Sequence, residues 1–188
     1  MNHPDAHTEV LVFDTGPLTH FAKEGWLGTL KAIVGDRRAL VPDVVVSELE
    51  VGALLDGRVK SVLEADWLVH RELSAPTEMA ALATFTTRLV VGRRNLGECA
   101  VLALGQVLGA TVVVDDGAAR KAAHDHGIAC KPTLSLLCEG IRNGLLTIDL
   151  VSHLADDLIR GDYRLPFPVG GFRQWAIDNG VVPEPRAG

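Results

Sequence analysis

The sequence predicts an α/β fold, a three-layer α/β/α sandwich around a central parallel sheet, on three observations. Short apolar runs alternate with segments of helical period along most of the 188 residues, the pattern of βα units rather than of hairpins. Thr111-Val112-Val113-Val114 is β-branched throughout and does not alternate in polarity, as a parallel strand covered on both faces should be. Val10-Leu11-Val12-Phe13 runs directly into Asp14-Thr15-Gly16-Pro17, so a buried strand ends in a helix-starting turn.

Taken in order, Leu18, Phe21, Ala22 and Trp26 recur at helical spacing and Gly25 punctuates them, giving a short helix and then a second over 27–33. Residues 38–41 predict a brief strand. Pro42 suits the first turn of the next helix, whose apolar face carries Val45, Val46 and Leu49, with Glu48 beside that stripe. Helical character continues to Ala65, a short strand is expected over 67–70, and 74–77 form a turn. Met79, Leu82, Ala83, Thr86, Leu89 and Val90 make an amphipathic helix that stops at Gly92. The dense basic pair Arg93-Arg94 follows.

Residues 97–108 read as a small-residue helix with Glu98 in its first turn, ended by Gly109. After the Thr111–Val114 strand come Asp115-Asp116, a helix over 118–126, a short edge strand near Ile128 and a helix over 133–142. Val151, Leu154, Ala155 and Leu158 predict one more amphipathic helix. A Pro/Gly-rich linker over 165–171 leads to a last helix over 172–178. The expected organisation is a domain over 1–146 with a helical extension, 147–188, packed on it.

Composition narrows the function classes. Hydrophobic residues are 47% and charged residues 22%, which suits a globular core and excludes a disordered chain. A net charge of -6 and a pI near 5.6 mean that bulk electrostatics do not recruit nucleic acid, so a polyanion needs local basic groups or bound cations. Cys99, Cys130 and Cys138 have no metal-ligand spacing and sit in apolar surroundings, as free thiols in a reducing compartment would. The N-terminal residues lack the pattern of a signal peptide. The longest apolar stretch, 100–114, is interrupted by Gly105, Gln106 and Gly109 and is too short to span a bilayer. A cytoplasmic protein without a membrane partner is expected.

Asp14, Glu48, Glu98 and Asp115-Asp116 each stand at a strand end, at a helix start or on a helix's inner edge. Parallel strands joined by crossovers of one hand bring their C-terminal ends to one side of the sheet, where ligands bind in open α/β folds. Capping accounts for Asp14, for one of Asp115 and Asp116, and for Glu98 singly. It does not account for all of them together. Like charges that close repel by roughly several kcal/mol at intermediate dielectric, so the cluster persists only if protonated or cation-bound. Oxygen-only donors select a hard cation, Mg²⁺ or Mn²⁺. A P-loop would need Gly-Lys-Ser or Gly-Lys-Thr, which is absent. A haloacid-dehalogenase-like phosphatase would need an acid where Gly16 stands.

Asp14-Thr15-Gly16-Pro17-Leu18, the Val41-Pro42 helix with Glu48, the Gly97-Glu98 helix start, and Val114-Asp115-Asp116 followed by Ala119-Arg120 resemble the successive acidic motifs of PIN-domain ribonucleases, which include the VapC-type toxins. The resemblance spans residues 10–146 and is nearest a prokaryotic branch with this opening and a doubled aspartate. It implies Mg²⁺- or Mn²⁺-dependent hydrolysis of single-stranded RNA to a 5′-phosphate and a 3′-hydroxyl. The implied metal ligands are Asp14, Glu98 and one of Asp115 and Asp116, with Asp116 favoured. Glu48 would complete the catalytic group, and Thr15 would orient Asp14 or a water. Arg93, Arg94, Arg120 and Lys121 are the implied RNA-binding cations, set against the alternative of a solvated face. The chain departs from the pattern at Glu98, Gly16 and Ala100, which leaves the number of ions at one or two. A cognate antitoxin and a homodimer are the family-like partners. The rival reading is a non-catalytic PIN-like module that binds RNA or protein.

Overall fold

The computed structural model of the chain describes residues 9–89 and 95–182. Its elements follow in the order β1 (Val10–Phe13), α1 (Thr15–Lys23), α2 (Leu27–Val34), β2 (Arg38–Pro42), α3 (Asp43–Leu55), a 3-10 turn (Gly57–Val59), α4 (Lys60–Leu63) and β3 (Leu68–Arg71). The second half contains α5 (Pro76–Leu89), α6 (Leu96–Leu108), β4 (Thr111–Val113), α7 (Gly117–Asp125), α8 (Thr133–Arg142), α9 (Ile148–Arg160) and α10 (Phe172–Asp178). The predicted stop at Gly92 lies outside the described residues, as do Arg93 and Arg94.

The four strands form one sheet in the order β3-β2-β1-β4, and every pairing is parallel. From β1 the chain steps outward to β2 and β3, then returns to place β4 on the other side of β1. With crossovers of one hand, that reversal puts helices on both faces of the sheet. It also makes the gap between the C-terminal ends of β1 and β4 the switch point of the fold, where open α/β sheets bind ligands. The expected edge strand near Ile128 is reduced to one bridge, Cys130 against Val112. Two backbone bonds hold it, Val112 N to Ala129 O at 2.8 Å and Lys131 N to Val112 O at 2.9 Å. β4 is therefore the edge strand of the sheet, with this one bridge on its outer side.

Leu11, Val12 and Phe13 of β1 and all three residues of β4 are buried, so neither strand alternates in polarity. The middle of helix α6 is covered on every side: Cys99 through Leu104 are fully buried. Its small residues are needed there, because a β-carbon on Gly105 would collide with Val112 of β4. Asn95 takes a left-handed conformation (φ 67°) just before α6, which asparagine tolerates. Its side chain donates to Leu89 O at 3.0 Å, closing the connection from α5. Glu78 is buried because its carboxylate reaches back to the amides of Ser74 (3.0 Å) and Ala75 (2.9 Å) at the start of α5 and pairs with Arg71.

The C-terminal helices belong to the same core. Val151, Leu154, Ala155 and Leu158 of α9 and Phe172 and Ala176 of α10 are buried in the cluster that contains β1 and β4. The Thr147 hydroxyl caps α9 at Leu150 N, 3.2 Å away. Trp26 Nε1 donates to Asp157 at 3.1 Å, tying α9 to the turn before α2. None of the described helices is long and apolar enough to cross a membrane.

Candidate active site

Four carboxylates are carried at the C-terminal end of the sheet, each from a different element. Asp14 ends β1, Glu48 lies on α3, Glu98 lies in the first turn of α6, and Asp116 starts α7. Asp14 N donates to Val113 O at 3.1 Å, which holds the end of β1 beside β4. The Asp14 side chain also caps α1 through Gly16 N, a long contact of 3.5 Å. Capping and clustering are thus both properties of this residue.

Asp14 is only 7% exposed. Burial, followed by the negative charge of Glu98 and then Glu48, pushes its pKa up to about 7, against the opposing pull of the Thr15 and Gly16 amides. Half-buried Glu98 is raised as well, first by burial and then by Glu48 and Asp116, although its own backbone amide works the other way. The acids therefore feel one another, and a cation among them would relieve both burial and repulsion.

Glu48 is held from two sides. The Thr15 hydroxyl donates to its Oε2, and Gly97 of α6 lies so close that a β-carbon there would come within 2.6 Å of that oxygen. The Thr15 hydroxyl thus orients Glu48, while its backbone amide serves Asp14. The reason is geometric, since Thr15 begins α1 and α1 packs on α3.

The doubled aspartate is divided between two tasks. Asp115 accepts from Thr133 N at 2.9 Å and Thr133 Oγ1 at 2.7 Å, and from the Tyr163 hydroxyl. Both of its oxygens are engaged in fastening α8 and the C-terminal segment, whereas the sequence reading groups it with Asp116 among the metal ligands. Asp116 caps α7 with Oδ1 alone, accepting from Ala118 N at 2.8 Å and Ala119 N at 2.9 Å. Its Oδ2 accepts from no protein group among the described residues, and its side chain is exposed.

Tyr163 and Thr133 escaped the sequence reading. Tyr163 stands 48 residues from Asp115, and no periodicity links them. The His20 ring meets Tyr163 edge-on with centroids 4.8 Å apart. Its buried Nδ1 has no partner among the described residues, and burial, then Lys23, keeps its pKa below the usual imidazole range. Among the proposed RNA-binding cations, Arg120 lines a cleft beside Asp115. Lys121 is spent on Asp125 one turn along α7, at 2.9 Å.

The donor set suits a hard divalent cation, since every candidate ligand is a carboxylate oxygen and the most buried one has its charge opposed by its neighbours. No three His, Cys, Asp or Glu side chains among the described residues converge into a ready-made cage. Glu48 is turned toward Thr15, and one Asp116 oxygen is occupied by amides. This arrangement fits an ion that retains much of its hydration and takes few direct carboxylates, as Mg²⁺ does.

The parallel α/β sheet thus carries acids from separate elements at its switch point. The chain belongs to the PIN-domain family: the model of DUF3368, a PIN domain, matches residues 10–169. That match reaches through α9, past the end of the motif resemblance. PIN domains are generally nucleases. Among solved structures, the chain is similar to VapBC2 from Rickettsia felis bound to a DNA fragment from their promoter, at 15% identity and a TM-score of 0.48, over 65% of this chain and 98% of that one. It is also similar to a PilT N-terminus domain protein from the hyperthermophilic archaeon Sulfolobus solfataricus P2, at 17% identity and a TM-score of 0.43, over 68% of this chain and 90% of that one. No curated protein matches the chain.

Proposed function

We propose that the chain is a divalent-cation-dependent endoribonuclease acting on single-stranded RNA, with Asp14, Glu98 and Asp116 as the cation ligands and Glu48 completing the catalytic group. The observation that carries this reading is the PIN-domain match over residues 10–169, with Asp14 a buried carboxylate held where β1 meets β4 and its proton affinity raised by burial, Glu98 and Glu48. A bound Mg²⁺ or Mn²⁺, one ion or two, would supply charge neutralisation for the attacking and leaving oxygens of an in-line phosphodiester displacement.

The protein's own contribution is placement. Asp14 is fixed by the β1–β4 ladder and by the start of α1, so its carboxylate moves little. Asp116 uses one oxygen to cap α7, which leaves the other directed by a rigid helix end. Thr15 holds Glu48 in one rotamer against α6, where its charge keeps Glu98 and Asp14 basic. Asp115 positions the loop that carries Asp116 by fastening it to Thr133 and Tyr163.

The same reading makes the chain a cytoplasmic toxin with a cognate antitoxin, and a homodimer. Exposed apolar residues at the end of α3, with Leu54 and Leu55 each 86% accessible, support a protein partner on that face. The deciding experiment incubates purified protein and Asp14→Asn with end-labelled single-stranded RNA in Mg²⁺, Mn²⁺ or EDTA. Cation-dependent cutting by the wild type alone is expected. Tight RNA binding with no cutting of any substrate would return the chain to the role of a binding module.

A further inference from the structure

A cleft of about 600 Å³ lies beside the acid cluster and has no part in it. Its walls are α7, α8, α10 and the segment joining α9 to α10. Three arginines line it, Arg120 from α7, Arg142 from the end of α8 and Arg164 from the joining segment, against one carboxylate, Asp115. That local excess is opposite in sign to the net charge of -6 on the whole chain. The Asp115 oxygens are already engaged by Thr133 and Tyr163. None of the three guanidiniums forms an ion pair among the described residues. They stand exposed at the rim.

The cleft also has an aromatic wall. Trp175 lines it, half-buried, and its ring is braced by Phe167 at 5.4 Å and by Phe172 at 6.1 Å between centroids. A volume near 600 Å³ falls in the range of sites that enclose small ligands. Planar guanidinium forks match phosphate oxygens, and an indole offers a stacking surface to any base. Arginines drawn from three separate elements converge on one cavity instead of following a groove, which favours a compact base and phosphate over an extended acidic peptide.

Position gives the cleft its meaning. Asp115 belongs to its lining, and the next residue, Asp116, caps α7 just beyond the end of β4, on the strand edge where Asp14 ends β1. We infer that this cleft seats a nucleotide of single-stranded RNA flanking the bond to be cut, its phosphates held by Arg120, Arg142 and Arg164 and its base against Trp175; the inference rests on the RNA reading above. The C-terminal helices then contribute to substrate binding and do more than cover the sheet.

The test measures binding of fluorescein-labelled decauridylate to full-length Asp14→Asn protein in EDTA, where no cleavage occurs. Adding Arg142→Ala and Arg164→Ala, both exposed positions, should weaken binding about tenfold and flatten the salt dependence by about 1.4 in log-log slope. Trp175→Leu should cost about fivefold or more, while Trp175→Phe, which keeps a ring on Phe167 and Phe172, should keep most of the affinity. Unchanged affinity and slope in the double arginine variant overturn the assignment. So does Arg142- and Arg164-dependent binding of a polyglutamate peptide when the oligonucleotide does not bind. A wild type that cuts no RNA, while oligonucleotide binding keeps this arginine dependence, removes the nuclease reading and leaves the cleft. A double Arg142→Ala, Arg164→Ala variant with Asp14 intact that cuts RNA as well as the wild type does removes the cleft and leaves the nuclease.

Discussion

Gly97 on α6 touches the carboxylate of Glu48 on α3, so closely that a β-carbon would lie 2.6 Å from Oε2 and 2.9 Å from Oε1. A bare α-carbon at the start of α6 is what lets a charged side chain from another helix reach the site. Gly97→Ala should leave the fold intact, because the obstructing group is the end of a flexible side chain and alanine is the better helix former by about 1 kcal/mol. Glu48 should swing away from Thr15. The expected outcome is a melting temperature within a few degrees of wild type and a clear drop in RNA cleavage. Full activity would mean that the held position of Glu48 is not used.

Asp14→Asn should stabilise the cation-free protein near neutral pH. The folded-state pKa of Asp14 is raised from 3.8 to about 7, so the folded state binds its proton more tightly than the unfolded chain does. Its relative stabilisation is fully present below the unfolded value and is lost as pH rises through about 7. Asparagine keeps the cap and carries no charge. Melting curves in EDTA should show the variant above wild type at pH 8, by on the order of a few kcal/mol, with the gap closing toward pH 4. A variant that melts lower than wild type at pH 8 would mark Asp14 as a structural cap.

Mg²⁺ should raise the melting temperature of the wild type. At roughly a hundredfold excess over the dissociation constant, a ligand specific for the folded state adds about 2.7 kcal/mol. Since the cation needs ionised carboxylates, the gain should shrink as pH falls below about 7, where Asp14 takes up its proton. Asp14→Asn should lose most of the response. A full Mg²⁺ shift in that variant would separate Asp14 from the ion.

Tyr163→Phe removes one of the donors to Asp115 and adds no volume. Hydrogen bonds to charged groups contribute roughly 1.5–3 kcal/mol, so denaturant unfolding should show a loss of that order. Tyr163→Phe and Asp115→Asn should not add in a double-mutant cycle. Additive losses would show that the phenol and carboxylate act independently.

Where the sequence was legible, local patterning was strong. The strands over 10–13 and 111–113, and the helices over 133–142 and 172–178, follow from β-branched runs and helical spacing read within a few residues. The expected edge strand near Ile128 came out as a single bridge at Cys130, because pairing with an outer segment depends on what the sheet offers and not on the segment alone. Asp14 and Asp116 stand out as candidates because a strand ending in an acid is a local signal. The division between Asp115 and Asp116 does not, since their neighbours come from α8 and from beyond α9.

The amino-acid order by itself determined the alternation of strands and helices, the parallel sheet and the identities of the acids, because each depends on residues within a turn or two of one another. Tertiary structure alone decided that Thr15 serves Glu48, that Gly97 makes room for it, that Asp115 is spent on Thr133 and Tyr163, and that Arg120, Arg142, Arg164 and Trp175 share one cleft. Each of these joins residues far apart in the chain. A side chain's role in such a contact is set by which element is packed opposite it, and that is known only once the sheet has closed its order and the helices have settled on its two faces.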